Sequence, residues 1–202
     1  MARTPDLELK RELLDQVVEY LAAQGFGDMS LRPLAHALRT SPNRLVHHFG
    51  SKEELLVAAL NRATEIQLKV RERWLARTPD LSQSDQLRRW WKWINASPGN
   101  LALVRLGLEA ASLEATVTGL PGDVRADQIG LWRSHIEQRL LQHGFTPQDA
   151  SIEASLAKAT FTGLIMDLMA TGDRRRLTKS LDVALARLDE LIAAAERGKT
   201  AL

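Results

Sequence analysis

Residues 30–56 read SLRPLAHALRTSPNRLVHHFGSKEELL, and this stretch decides the fold. It spells two short helices, a tight turn between them, and the start of a long third helix. Ser30 stands as an N-cap, and Leu31, Leu34, Ala35 and Leu38 give the first helix one apolar side. Arg39 and Thr40 interrupt that run. Ser41 then offers its side chain to the orphan N–H groups of a second helix, and Pro42 supplies a fixed φ at the first helical position. Leu45 and Phe49 lie four apart and point one way, which leaves Asn43, Arg44 and His47 on the opposite strip. Gly50 ends that helix, and Ser51 with Glu54 three residues on forms a capping box for the next.

An outward row of Asn, Arg and His on a short, braced helix is what a DNA major groove accepts. Arg grips guanine O6 and N7, Asn grips adenine N6 and N7, and His reaches a base edge or a phosphate. Ser41 and the free N–H groups beside it suit a phosphate, and Lys52 is placed to meet another. From Asp28 to Lys52 the basic residues Arg32, Arg39, Arg44 and Lys52 face a single acid, Asp28, with His36, His47 and His48 besides. The DNA-facing set read from this stretch is Arg32, Arg39, Thr40, Ser41, Asn43, Arg44, His47, His48 and Lys52. The plainer alternative is a solvated two-helix corner.

The same residues resemble the DNA-binding domain of the tetracycline-repressor (TetR) family. The matching features are Gly25-Phe26, Ser30-Leu31-Arg32, Leu34-Ala35, Ser41, Leu45, His48-Phe49 and Ser51-Lys52-Glu53-Glu54-Leu55-Leu56. The resemblance covers about the first sixty residues. Two positions depart from it: Arg39-Thr40 stands where the family usually has Gly-Val, and Val46 where it has a phosphate-gripping Tyr. A non-glycine residue in that turn costs roughly 1 kcal/mol if its φ is positive.

Composition agrees. The 202 residues are ample for a buried core in one large or two small domains. No Cys is present, which leaves no disulfide framework, zinc finger or thiol chemistry and suits a reducing cytoplasm. A net charge of +2 makes any nucleic-acid affinity a matter of local placement. No apolar run approaches the roughly 20 residues of a membrane span, and no leader-like segment opens the chain. A cytoplasmic protein is expected.

In chain order the pattern is all-α, about nine helices with no strand. Thr4-Pro5-Asp6 opens a first helix whose Leu9, Leu13, Val17 and Leu21 form one stripe, ending at Gln24-Gly25. The helix opened by Ser51 runs to about Ala76, roughly 37 Å, and Thr78-Pro79-Asp80 breaks the chain. Ser84 or Asp85 to Asn95 is the next helix, with Ser97-Pro98-Gly99 as its stop and Asn100 capping another to about Thr116. Thr118–Gly122 is a loop, Asp123 to His143 a helix, and Thr146-Pro147 repeats the Ser41-Pro42 start signal for one that runs to Thr171-Gly172. The last helix spans about Arg175 to Arg197. This divides the chain into a helix-turn-helix domain, residues 1–49, and a helical effector and dimerisation domain, residues 50–202.

The last two helices have the character of an oligomer interface. Phe161, Leu164, Ile165, Met166, Leu168 and Met169 cannot all face one core, and a helix apolar on every side is buried on every side. The expected interface is Ile152, Leu156, Ala159, Gly163 and Met166 with Leu181, Leu185 and Leu188; a central core helix is the alternative. The family resemblance implies pairing of these helices with their symmetry mates in a four-helix bundle. It also implies a ligand pocket in the tryptophan-rich region, for which Trp90, Trp93, Ile94, Trp132, His135 and Phe161 are the candidates. His135, Arg139 and His143 share a face that reads as solvated.

No nucleophile elbow, phosphate-cradling Gly-rich loop, paired-His metal motif or dinucleotide fingerprint occurs, so no enzyme, metal or cofactor is expected. The resemblance implies a transcriptional repressor released from a pseudo-palindromic operator by a small molecule. A helical protein-interaction module without DNA binding is the rival reading.

Overall fold

A computed structural model describes residues 4–25, 29–78, 81–112 and 133–200. The described residues are helical with no strand, in nine segments. These are α1 (Thr4–Gln24), α2 (Leu31–Ala37), α3 (Pro42–Phe49), α4 (Lys52–Arg77), α5 (Gln83–Ala96), α6 (Pro98–Ser112), α7 (residues 133–142), α8 (Pro147–Thr171) and α9 (Arg174–Thr200). The expected loop at Thr118–Gly122, the helix start near Asp123, and the residues Phe26 and Trp132 lie outside the described residues.

The chain divides into two compact units, one of residues 1–77 and 96–128, the other of residues 78–95 and 129–202. In the first unit α1 packs on α2, α4 and α6, and α4 packs on α3. Leu13, Val17, Val18 and Leu21 of α1 meet Leu34, Leu45, Phe49, Leu55, Leu56 and Leu60 in one buried cluster, joined by Leu106 of α6. The α1 stripe thus braces the two short helices, though Leu9 at its start stays exposed.

In the second unit Trp91 of α5 is buried, donates its Nε1–H to Thr178 Oγ1 at 2.9 Å, and meets Phe161 of α8 edge-on at 6.0 Å. Ser84 donates to Asp189 on α9. Leu177, Leu181, Leu185 and Leu188 form the buried stripe of α9, packed on α8.

Three local expectations are corrected. Ser97-Pro98-Gly99 is a start signal rather than only a stop. Ser97 Oγ accepts the Asn100 N–H at 3.1 Å, Pro98 is the first helical residue, and Ser97 alone separates α5 from α6. Likewise α5 begins earlier, because Ser82 Oγ accepts the Asp85 N–H at 3.0 Å. The face of His135, Arg139 and His143 is partnered, not solvated. His135 Nε2 bonds Gln86 Oε1 at 3.1 Å, Arg139 donates to the Leu81 carbonyl at 3.1 Å, and His143 Nδ1 meets Glu196 Oε1 at 2.7 Å.

Candidate nucleic-acid interface

The reading helix is held by hydrogen bonds that its own sequence supplies. α2 ends in a Schellman motif: the Arg39 N–H reaches the His36 carbonyl at 3.1 Å and the Thr40 N–H reaches the Ala35 carbonyl at 2.9 Å. The left-handed residue of that motif is Arg39, with φ at +52°, the position that glycine usually takes. Ser41 then caps α3, its Oγ accepting the Arg44 N–H at 3.2 Å, with Pro42 at the first helical position. Ser30 precedes α2 in extended backbone but makes no side-chain capping bond.

α3 ends at Gly50, whose φ is +82°. A Cβ there would come within 2.1 Å of Glu54 Oε2. That oxygen is the acceptor of the Ser51 N–H at 2.7 Å, while Ser51 Oγ accepts the Glu54 N–H at 3.1 Å. The capping box and the glycine are therefore one device, which sets the angle between α3 and α4.

With Leu45 and Phe49 buried, the opposite side of α3 is left to solvent. Asn43, Arg44 and His47 are exposed together, with Ser41 at the helix start and Arg32, Arg39 and Lys52 exposed around them. Among the described residues none of Arg32, Arg39, Arg44 and Lys52 has an acidic partner, so each guanidinium or ammonium is available to phosphate or base. Two members of the expected set are turned inward. Thr40 Oγ1 is buried without a hydrogen-bond partner, and His48 is half-buried, its ring 6.3 Å from that of Phe49. Both are only partly exposed, which sequence spacing did not separate from the fully exposed positions beside them. Val46 is the addition: its branched side chain is 45% exposed on α3.

Residues 13–59 match the family described as bacterial regulatory proteins, tetR family. Through this segment the chain carries the DNA-binding domain of that family. The fold of the whole is also that of solved transcriptional regulators. A TetR-family regulator from Pectobacterium atrosepticum is 19% identical, with 95% of each chain covered and a TM-score of 0.57. A transcriptional regulator from Rhodococcus sp. Rha1 is 19% identical over 88% of this chain and 94% of that one, with a TM-score of 0.68. A Saccharomonospora viridis protein described as a transcriptional regulator, solved in complex with choline, is 19% identical over 87% and 94%, with a TM-score of 0.66. No curated protein matches. The chain is a DNA-binding transcriptional regulator.

The effector candidates are dispersed. Trp90 is buried and stacks on half-buried Trp93 at 4.5 Å and 19°, and Ile94 is fully buried behind them. Phe161 instead lines a groove of about 330 Å³ with Leu156, Leu185 and Leu188. Trp91, absent from the expected set, is buried and donates to Thr178 Oγ1 on α9, a partner that helical spacing does not register.

The expected interface set splits in two. Ile152, Leu156, Ala159, Gly163 and Met166 are exposed along one face of α8, with Leu156 55% and Met166 58% exposed. Leu181, Leu185 and Leu188 are corrected: they are buried within the protomer, because the leucine stripe of α9 is consumed by α8 and α5 of its own chain. No described helix is long and apolar enough to cross a membrane.

Proposed function

We propose that this TetR-family chain is a homodimeric repressor that binds a pseudo-palindromic operator and is released by a small molecule. The exposed strip of Asn43, Arg44 and His47, backed by buried Leu45 and Phe49, carries the operator half of this reading. A two-fold dimer presents two such strips, so half-sites lie about one helical turn, roughly 34 Å, apart. The apolar row along α8 supports the dimer. The choline complex of the Saccharomonospora viridis relative supports a small-molecule effector for a protein of this fold.

α4 is the proposed transmitter. It follows α3 through Gly50 and Ser51, and its 26 residues make it roughly 39 Å long. A tilt of a few degrees displaces its far end by roughly 2 Å, enough to spoil the match of two reading helices to successive grooves. Ligand then weakens DNA as much as DNA weakens ligand, typically by about 1–3 kcal/mol. The stacked pair Trp90 and Trp93 is the proposed reporter, since an effector bound beside it changes intrinsic fluorescence.

Selection of genomic fragments by the purified protein tests the first half. One enriched pseudo-palindromic site is expected, and loss of enrichment in a variant with Asn43, Arg44 and His47 all changed to Ala. Enrichment of no fragment, or equal enrichment by that variant, favours a helical interaction module instead. For the second half, a compound that saturates the fluorescence change must also lower operator affinity; one that leaves it unaltered is not the effector.

A further inference from the structure

Within the first unit a cavity of about 710 Å³ opens where α1, α4 and the beginning of α6 meet. Its floor is apolar, with Val18 and Ala22 of α1 facing Leu103 of α6, and its rim carries Asp15, Glu19 and Arg62. A volume of this size is that of a small-molecule site.

The rim discriminates by charge. Arg62 has every nitrogen engaged: Nε and NH2 donate to the Asp15 carboxylate at 2.6 and 3.1 Å, and NH1 donates to Glu65 at 2.7 Å. An anion in the cavity would meet two carboxylates and an arginine that is already saturated. Glu19 is exposed, and among the described residues no cation pairs with it. With Asp15 balanced by Arg62, Glu19 leaves one uncompensated negative charge beside an apolar floor.

We propose that this cavity binds a lipophilic organic cation, an ammonium with a hydrocarbon or aryl body, with Glu19 as the counter-ion. The apolar body lies on Val18, Ala22 and Leu103, and the charged end remains at the half-open rim, where desolvation costs least. None of its lining residues belongs to the tryptophan-rich helix α5, and it adjoins the clamp by which Arg105 of α6 donates to the Ala22 carbonyl of α1 at 2.6 Å.

Titration of the full-length chain with benzyltrimethylammonium, followed by calorimetry without DNA, tests the proposal. One saturable site per chain is expected, with benzoate failing to bind. Glu19→Gln, an exposed change that keeps the fold, should raise the dissociation constant about fivefold at low salt. Ala102→Phe, which fills the cavity, should abolish binding while circular dichroism stays that of the parent. Absence of saturable cation binding overturns the proposal, as does equal binding of benzoate. Binding unchanged by both variants but lost in Trp93→Phe overturns it too, by moving the ligand to α5. Because no operator is present, a failure of operator recognition leaves this outcome untouched, and the converse holds.

Discussion

Arg62 donates from Nε and NH2 to the two oxygens of Asp15, at 2.6 and 3.1 Å, and so ties α4 to α1 across 47 residues of sequence. The guanidinium side is only 11% exposed, while the carboxylate side is 42% exposed. A bidentate pair with one covered partner is worth more than an ordinary surface ion pair, yet solvent at Asp15 limits it. Asp15→Ala should lower unfolding free energy by about 1 kcal/mol. Urea denaturation measures it, and an unchanged midpoint would show the tie to be ornamental.

Glu65 adds a pH dependence to the same corner. Its hydrogen bonds from Lys69 and then Arg62 pull its carboxyl from an ordinary 4.5 down to about 2. A carboxyl depressed on folding contributes stability that is complete above its unfolded value and fades as pH falls through the folded one. The difference in stability between parent and Glu65→Gln should therefore be constant from neutral pH to about 4.5 and shrink steadily toward pH 2. A difference that grows on acidification contradicts the sign.

Arg39 sits at φ +52° where the chain turns from α2 to α3. Arg39→Gly should raise stability by about 0.5–1 kcal/mol by removing the left-handed penalty. It should also weaken every DNA sequence alike by deleting a phosphate contact. Arg39→Ala separates the two effects, since it loses the charge without relieving the backbone. Equal thermal midpoints for Gly and Ala would mean the turn carries no strain.

Arg44 and Lys52 are both exposed, but they differ in what they reach. Arg44→Ala on the outer strip of α3 should cost about 1–3 kcal/mol on the preferred site and relax selectivity at one base pair. Lys52→Ala, at the start of α4, should weaken all sequences and reduce the slope of log affinity against log salt by about one. Untouched binding in both variants rules out the groove assignment.

Gly163 faces open space on α8: an added Cβ meets nothing within 4 Å of the protomer. Gly163→Arg should therefore fold as the parent does but sediment as a monomer, where the parent sediments as a dimer. A parent that is monomeric at micromolar concentration ends the two-fold operator reading.

The helix ends were legible in the sequence wherever a capping signal spans three or four residues. Ser41-Pro42, Gly50, the Ser51–Glu54 pair and Thr146-Pro147 each act through bonds to their near neighbours, and each forms as its residues dictate. The outer strip of α3 followed from the same local geometry, because a helix with one apolar side has only one way to turn it. Where a helix has two apolar faces, sequence leaves the choice open. Leu181, Leu185 and Leu188 could have met a second chain or their own, and Ile152, Leu156 and Met166 likewise; the packing of α9 on α8 decided that the first set is core and the second is surface. The cavity between α1, α4 and α6 was equally tertiary, since it depends on residues tens of positions apart meeting in space. Local hydrogen bonds are written in adjacent residues, whereas the partner of an apolar face is set by whichever surface completes the burial.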